Sequence, residues 1–159
     1  MRKLLATAVL VSGAVAVPQA AQATGCSITW GSGPKAVSSS AHTTLTGVRA
    51  GRHVCFDRLV LDRRGTAGYR VRYVSAVRDQ GRGVVVPLKG GAFLQVDDQS
   101  AATARPALPN VTGWTTFRQV GWGGSFEGYS TVGLGVRARL PFRVFQSGPD
   151  LVIDVAHHW

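Results

Sequence analysis

Residues 134–140, LGVRARL, alternate apolar side chains with glycine or arginine, and residues 69–73, YRVRY, alternate in the same way. Successive side chains of a β-strand point to opposite faces, so this period of two predicts strands with one face in a core and the other in water. No stretch of about 12 residues shows the 3.6-residue period of an amphipathic helix. The pattern therefore predicts an all-β protein.

Further strand-like stretches lie on both sides of these two. We predict them at residues 45–49, 53–62, 84–87, 92–97, 116–122, 142–146 and 151–157. Residues 147–150, SGPD, are typical of a hairpin connection between the last two strands. About eight short antiparallel strands at this spacing predict a sandwich or a barrel. Residues 98–113 show no clear pattern and are expected to form a functional or mobile loop.

The first 23 residues have the pattern of an export signal. Basic Arg2 and Lys3 precede an uncharged apolar run over residues 4–17, and residues 18–23 end in a small-residue triplet, AQA. The apolar run is shorter than the roughly 18 residues that span a bilayer, and no second run follows. We therefore predict a signal peptide over residues 1–23, a secreted protein and no transmembrane segment.

Cysteine usage agrees with secretion, because two cysteines, Cys26 and Cys55, follow the signal. In an oxidising compartment this even number predicts one disulfide, which ties the Ser- and Gly-rich segment 24–41 to the strand of Cys55. The bridge closes a loop of about 30 residues, for which the chain-entropy model gives roughly 3.6 kcal/mol. The alternatives are a lipoprotein anchored through Cys26, a metal pair or a catalytic thiol.

The charge of the chain is strongly positive, with 18 basic residues against eight acidic ones and a net charge of +10. Removing Arg2 and Lys3 leaves +8, and most of the remaining basic residues are arginine. Guanidinium groups pair bidentately with phosphate and carboxylate, which favours anionic polymers such as teichoic acid or peptidoglycan as partners. Nucleic acid is not expected, because export and the absence of RRM, KH and OB signatures argue against it.

Four ordered blocks of the sequence resemble the AMIN-like domain of exported actinobacterial proteins. The blocks are residues 51–58 (GRHVCFDR), 68–74 (GYRVRYV), 126–128 (FEG) with 133–144 (GLGVRARLPFRV), and 151–157 (LVIDVAH). The resemblance implies a β-sandwich over residues 42–159. It also implies a relation to the AMIN domain, the non-catalytic module that directs cell-wall amidases to peptidoglycan. The function expected is therefore a non-catalytic module that associates with the cell envelope, with no protein partner indicated.

Catalytic motifs are missing from the sequence, and we predict no catalytic residue, metal or cofactor. Adjacent His157 and His158 end a predicted strand and point to opposite faces, so they are poorly placed to ligate one ion. The rival hypothesis is a small secreted hydrolase acting on wall material. A histidine within hydrogen-bond reach of both a serine hydroxyl and a carboxylate would support it. The candidates are His42, His53, His157 and His158.

The arginines of the alternating strands are the predicted ligand-binding residues. With the apolar positions facing the core, the arginines face outward, and they form one basic face if their strands are neighbours. The alternative is that they spread over both sheets as solubilising charges. These arginines are Arg70, Arg72, Arg137, Arg139 and Arg143. Among them, Arg137 and Arg139 are the preferred candidates for ligand contact.

Two further sets of residues complete the predicted site. Trp122 has little local cover between glycines and is expected to stack on a sugar ring, the alternative being a core position. Asp57 and Arg58 are predicted to form a structural ion pair, with Arg137 as the other possible partner of Asp57. Glu127 and Asp57 are expected to balance the charge of the outward-facing arginines.

Overall fold

A computed structural model of the protein describes residues 25–159, so the predicted signal peptide lies outside the described residues. Ten strands account for all the regular structure of this part of the chain. They are β1 (Lys35–Val37), β2 (Thr43–Arg52), β3 (Phe56–Arg63), β4 (Tyr69–Val74), β5 (Ala92–Asp98), β6 (Ser100–Ala101), β7 (Phe117–Phe126), β8 (Tyr129–Val136), β9 (Phe142–Ser147) and β10 (Asp150–Ala156). None of the described residues forms a helix long and apolar enough to cross a membrane.

The strands form two five-stranded sheets that share one hydrophobic core. Sheet 1 has the order β1–β4–β5–β8–β7, and sheet 2 has the order β6–β2–β3–β10–β9. Adjacent strands are antiparallel, except that β2 and β6 are parallel. Val71 and Leu134 of sheet 1 and Leu59 and Ile153 of sheet 2 are fully buried in the core. The prediction of an antiparallel β-sandwich is confirmed, with ten strands in place of about eight.

The differences in strand number have simple causes. β1 and β6 have three and two residues and are too short to show a period of two. The strand predicted at residues 84–87 is reduced to an isolated bridge between Arg78 and Val85. The strand predicted over residues 134–140 ends at Val136, because the neighbouring strands β5 and β7 both begin opposite that residue. No partner backbone remains to continue the ladder.

A disulfide joins Cys26 to Cys55, with the two Cα atoms 5.5 Å apart, as predicted from the cysteine count. It ties the segment before β1 to the turn between β2 and β3. The sulfur atom of Cys26 is bonded to that of Cys55, so it does not carry a lipid in this structure. The structure therefore agrees with the predicted disulfide and shows Cys26 in that bond.

Three glycines on the outer face of sheet 1 form a floor for the segment between β4 and β5. A Cβ atom on Gly135 would lie 1.9 Å from the carbonyl oxygen of Lys89, and one on Gly121 would lie 2.6 Å from Leu88. A Cβ atom on Gly133 would lie 2.8 Å from the same leucine. These positions carry glycine because the segment approaches the sheet backbone too closely for a side chain.

Replacing Gly135 with alanine should lower the free energy of unfolding by about 1–3 kcal/mol, since the backbone at Lys89 has to move away from the new methyl group. Urea unfolding measures this loss. Gly31→Ala is the matched control, because nothing lies within 4 Å of a Cβ atom at that position. Equal stability of both variants and the wild type would show that the segment does not rest on the sheet.

Candidate functional site

The five arginines predicted to share one basic face lie in three separate places. Arg70 and Arg72 are on β4 in sheet 1, whereas Arg143 is on β9 in sheet 2. Arg137 and Arg139 follow the last residue of β8. The single basic face expected from the alternation is not formed, because sequence alternation assigns a side chain to a face of its own sheet and does not say which sheet that is.

The two arginines of β4 have different environments. Arg72 donates through Nη1 to Asp97 Oδ2 at 2.6 Å. Arg70 is exposed and lines a cleft of about 560 Å³, together with Tyr69 and Tyr129. Arg72 is therefore held by a carboxylate of its own sheet, while Arg70 is open to solvent at the rim of a polar cleft.

Trp122, the predicted stacking residue, is only partly open to solvent. Its side chain is half-buried and packs against the hydrophobic core, which is the alternative that the sequence left open. Trp114 also packs against the core and stacks on Phe117, with the ring centroids 6.0 Å apart. Of the four tryptophans, Trp159 is the most open to solvent, at 69% exposure.

The predicted ion pair between Asp57 and Arg58 is replaced by other contacts. Asp57 is buried, and its Oδ2 accepts hydrogen bonds from the backbone N–H groups of Thr116 and Phe117. Arg58 pairs instead with Asp154 of β10, which lies directly opposite it. Asp57 and Arg58 are consecutive residues of one strand, so they face opposite sides of the sheet and cannot pair.

Glu127 is also placed differently from the prediction. It is exposed in the turn between β7 and β8, where its φ of 49° is in the left-handed region. That turn is at the end of the sandwich opposite Arg137, because β8 begins beside Glu127 and ends beside Arg137. Glu127 is therefore too distant to balance the charge of Arg137 or Arg139.

A layer of arginine and aromatic side chains covers the outer face of sheet 2 at strands β3, β10 and β9. Asp154 is fully buried beneath it and accepts hydrogen bonds from Arg58 Nε and Nη2 and from Arg143 Nε, at 2.6, 2.9 and 2.8 Å. The Arg143 guanidinium lies 4.4 Å from the Trp30 ring centroid and 5.2 Å from that of Phe145. We call this layer the arginine–aromatic platform; its members are Trp30, Phe56, Arg58, Arg143, Phe145 and Asp154.

The register of one hairpin assembles the centre of the platform. Gly148 and Pro149 form a two-residue turn between β9 and β10, which pairs Ser147 with Asp150 and, further along, Arg143 with Asp154. The sequence predicted this hairpin but not the platform. Counting the residue pairs outward from the turn would have placed Arg143 opposite Asp154. Trp30 lies in an irregular segment, and no sequence pattern predicts its position.

Five basic side chains gather at one end of the sandwich, which we call the basic end. Its members are Arg52, Lys89, Arg118, Arg137 and Arg139. Hydrogen bonds from Arg137 N to Thr116 O and from Thr116 N to Asp57 Oδ2 show that the end of β8 meets the starts of β7 and β3 there. Asp57 is 1% exposed, and no exposed carboxylate side chain lies at this end within residues 25–159.

Several of these basic groups are fixed by neighbours. Arg118 donates through Nη1 to the carbonyl oxygen of Trp114 at 2.8 Å, and Arg118 and Lys89 line a cleft of about 400 Å³. The Arg137 guanidinium donates to the carbonyl oxygen of His157, and that of Arg139 donates to Ser32. These bonds go to neutral acceptors, so the positive charges are positioned without being neutralised.

The remaining carboxylates lie elsewhere in the sandwich. Asp62 and Asp150 pair with Arg49 at the opposite end, and Asp98 is buried there against Arg63. The hairpins and strand ends that carry these residues point away from the basic end. The carboxylates at the opposite end are thus paired with arginines, whereas none of the five cations of the basic end forms a salt bridge within residues 25–159.

The histidines bear on the rival hydrolase hypothesis. His157 Nδ1 lies 2.9 Å from Thr116 Oγ1, and its Nε2 lies 2.9 Å from the carbonyl oxygen of His53. Thr116 is fully buried, so this hydroxyl is not open to a substrate. Over residues 25–159, no histidine is hydrogen-bonded to both a serine hydroxyl and a carboxylate, and no three potential metal ligands cluster. The geometry named as support for a hydrolase is not found in these residues.

Comparisons with known proteins assign the chain to a family. The family model for the AMIN-like domain matches residues 43–157, which extend from the start of β2 to just beyond β10. Comparisons with curated proteins and with solved structures give no match. The matched region includes every strand except β1, the whole of the basic end and the centre of the platform, while Trp30 and Cys26 precede it. The chain belongs to the AMIN-like domain family.

Proposed function

We propose that this protein is a non-catalytic, exported module that binds peptidoglycan or an anionic wall polymer such as teichoic acid. The family supports a cell-wall-related module of non-catalytic character. The disulfide fits an oxidising, extracellular compartment. The observation that carries the proposal is the basic end, where five cationic side chains lie together and no exposed carboxylate side chain is found there within residues 25–159.

The basic end has the electrostatics that binding of a polyanion requires. Like charges at short range repel, and a polymer of repeated phosphates or carboxylates relieves that repulsion at several points at once. Four of the five cations are arginine, whose fork donates to two oxygen atoms of one anion. The contacts of Arg118, Arg137 and Arg139 to carbonyl and hydroxyl oxygens hold their guanidinium groups in place before the polymer arrives.

Charge reversal at the basic end should abolish wall binding. We expect the double variant Arg137→Glu/Arg139→Glu to stay in the supernatant when isolated cell walls are pelleted, whereas the wild-type protein pellets with them. The matched control is Arg64→Glu/Arg105→Glu, which changes the net charge equally at exposed positions outside the basic end. If both variants lose wall binding, the net charge of the protein explains the binding and the location of the charges does not. If both variants still bind, the proposed surface is wrong.

Salt should weaken the binding of the wild-type protein. Raising the ionic strength from about 0.01 M to about 1 M shortens the screening length from about 30 Å to about 3 Å. We expect pelleting with walls to fall progressively over this range, and to fall further when teichoic acid has been extracted. Binding that is indifferent to salt would contradict the electrostatic part of the proposal. A thermal melt of Arg137→Gln/Arg139→Gln reports separately whether these side chains also support the fold.

A further inference from the structure

The second basic surface, the arginine–aromatic platform, has a donor group that its internal contacts leave unused. Asp154 accepts hydrogen bonds from both Nε and Nη2 of Arg58, but only from Nε of Arg143. The two Nη groups of Arg143 make no hydrogen bond within residues 25–159, and the side chain is 42% exposed. Two positive groups share one buried carboxylate, so the platform keeps one net positive charge.

Three aromatic rings surround the guanidinium group of Arg143. Trp30 lies 4.4 Å from the Arg143 guanidinium, and Phe145 and Phe56 lie 5.2 and 5.4 Å from it. The ring of Trp30 meets that of Phe56 edge to face, with centroids 5.7 Å apart. Together with the bond to Asp154, these contacts restrict the rotamers of Arg143, and a preorganised side chain loses less entropy when it binds a ligand.

A ligand that fits this surface needs two chemical features in one molecule. The parallel Nη–H groups of a guanidinium fork match the two oxygen atoms of a carboxylate. The rings beside the fork are half-buried, so part of each ring remains open to solvent. The negative quadrupole of an aromatic ring attracts polarised C–H groups such as those on the apolar face of a pyranose. A pyranose that carries a carboxylate close to its ring satisfies both features.

We infer that the arginine–aromatic platform is a binding subsite for a carboxylate-bearing amino sugar of the wall glycan, N-acetylmuramic acid. The identification of the sugar rests on the proposed wall-binding function, whereas the need for a ring and a carboxylate rests on the platform itself. The lactyl carboxylate of this sugar is charged where no peptide is attached to it. The platform is therefore selective for peptide-free stretches of glycan, and the basic end supplies the less selective attraction.

The disulfide has a role in this subsite as well as in the fold. Trp30 lies in an irregular segment, four residues after Cys26, and Phe56 directly follows Cys55. The bridge between the two cysteines thus brings Trp30 to the ring of Phe56 and to Arg143. Loss of the disulfide should weaken sugar binding by removing one wall of the platform.

Nuclear magnetic resonance titration of the purified protein tests the inference with three probes. N-acetylmuramic acid should shift the Nε1–H resonance of Trp30 and the Nε–H resonance of Arg143 in a saturable manner. The same sugar with its lactyl carboxylate converted to the amide, and free lactate, should each bind at least about tenfold more weakly, since each lacks one of the two features. Equal binding of the amide or of lactate would overturn the inference. Equal binding of glucuronic acid would overturn the choice of sugar.

Variants separate the subsite from the basic end. Arg143→Lys keeps the charge but removes the fork, and we expect it to lose about tenfold in affinity for N-acetylmuramic acid. Arg137→Glu/Arg139→Glu should retain wild-type affinity for the same sugar while failing to pellet with walls. If Arg143→Lys binds the sugar as tightly as the wild type, the subsite is wrong and the proposed wall binding still stands. If the sugar shifts resonances of basic-end residues and leaves those of Trp30 and Arg143 unchanged, the platform does not bind the sugar and has a structural role only.

Discussion

Replacing Arg63 with methionine should lower the free energy of unfolding by about 3–5 kcal/mol, because it leaves Asp98 as an unpaired carboxylate in the interior. Arg63 belongs to sheet 2 and Asp98 to sheet 1, and both side chains are completely buried. Their ion pair, with Arg63 Nη1 2.9 Å from Asp98 Oδ1, ties the two sheets together. Urea unfolding at neutral pH measures the loss.

Arg63 has further partners that the substitution removes. Its Nε donates to the carbonyl oxygen of Pro149 at 2.8 Å, and its Nη2 donates to Gln146 Oε1 at 3.1 Å. The matched control is Arg49→Met, which also breaks ion pairs with Asp62 and Asp150. The side chain of Arg49 is 59% exposed, so we expect a loss of only about 0–1 kcal/mol there. Similar losses in the two variants would show that burial does not set the strength of these pairs.

The loss in Arg63→Met should depend on pH. Burial raises the pKa of Asp98, while Ser100 and Arg63 lower it in part, so removing the guanidinium raises this pKa further. A carboxyl group with a higher pKa in the folded state than in the unfolded chain favours folding at low pH, and this contribution is lost as pH rises through the folded-state pKa. We therefore expect Arg63→Met to be least destabilised near pH 4 and most destabilised near pH 8, as determined by urea unfolding across this range. A loss that grows toward low pH would contradict this assignment.

Replacing both Cys26 and Cys55 with serine should lower the free energy of unfolding by roughly 3.6 kcal/mol, since the 29-residue separation of the cysteines makes the constrained loop long. The entropy of the unfolded chain rises when this constraint is lost. Thermal unfolding of the wild type, with and without reductant, and of the double variant measures the effect. The oxidised wild type should melt highest, and the reduced wild type should melt close to the variant.

The same double variant separates stability from binding. At a temperature where it remains folded, it should still pellet with cell walls, because the basic end lies outside the segment that the disulfide holds, apart from the contact of Arg139 with Ser32. Its affinity for N-acetylmuramic acid should fall, because Trp30 is no longer held against Phe56. An unchanged melting temperature after reduction would show that other contacts already hold the segment before β1.

The fold was predictable because its cause is local. In β4, Val71 is buried and Arg70 is exposed, and the alternation of neighbouring residues is visible in the sequence without knowledge of any partner strand. The hairpin at Gly148 and Pro149 is equally local. Cys26 and Cys55 were predicted to pair because no other cysteine follows the signal. Each of these inferences needs residue types and spacing alone.

The candidate site was predictable only in part, and Arg137 and Arg143 show why. Alternation places both residues outside the core, but it does not state that Arg143 belongs to sheet 2 or that β8 ends before Arg137. The partner of Arg58 was missed for the same reason. Asp57 adjoins it in sequence, whereas Asp154, 96 residues away, faces it across the ladder.

The sequence by itself determined an all-β chain with a disulfide, an excess of arginine and membership of the AMIN-like family. Only the tertiary structure decided that the cations separate into a basic end and an arginine–aromatic platform, and that Trp122 is half-buried against the core while Trp30 lies against Arg143. The physical reason is one of range. Strand periodicity depends on residues one or two positions apart, whereas a binding surface depends on the order and register of strands that pair across most of the chain.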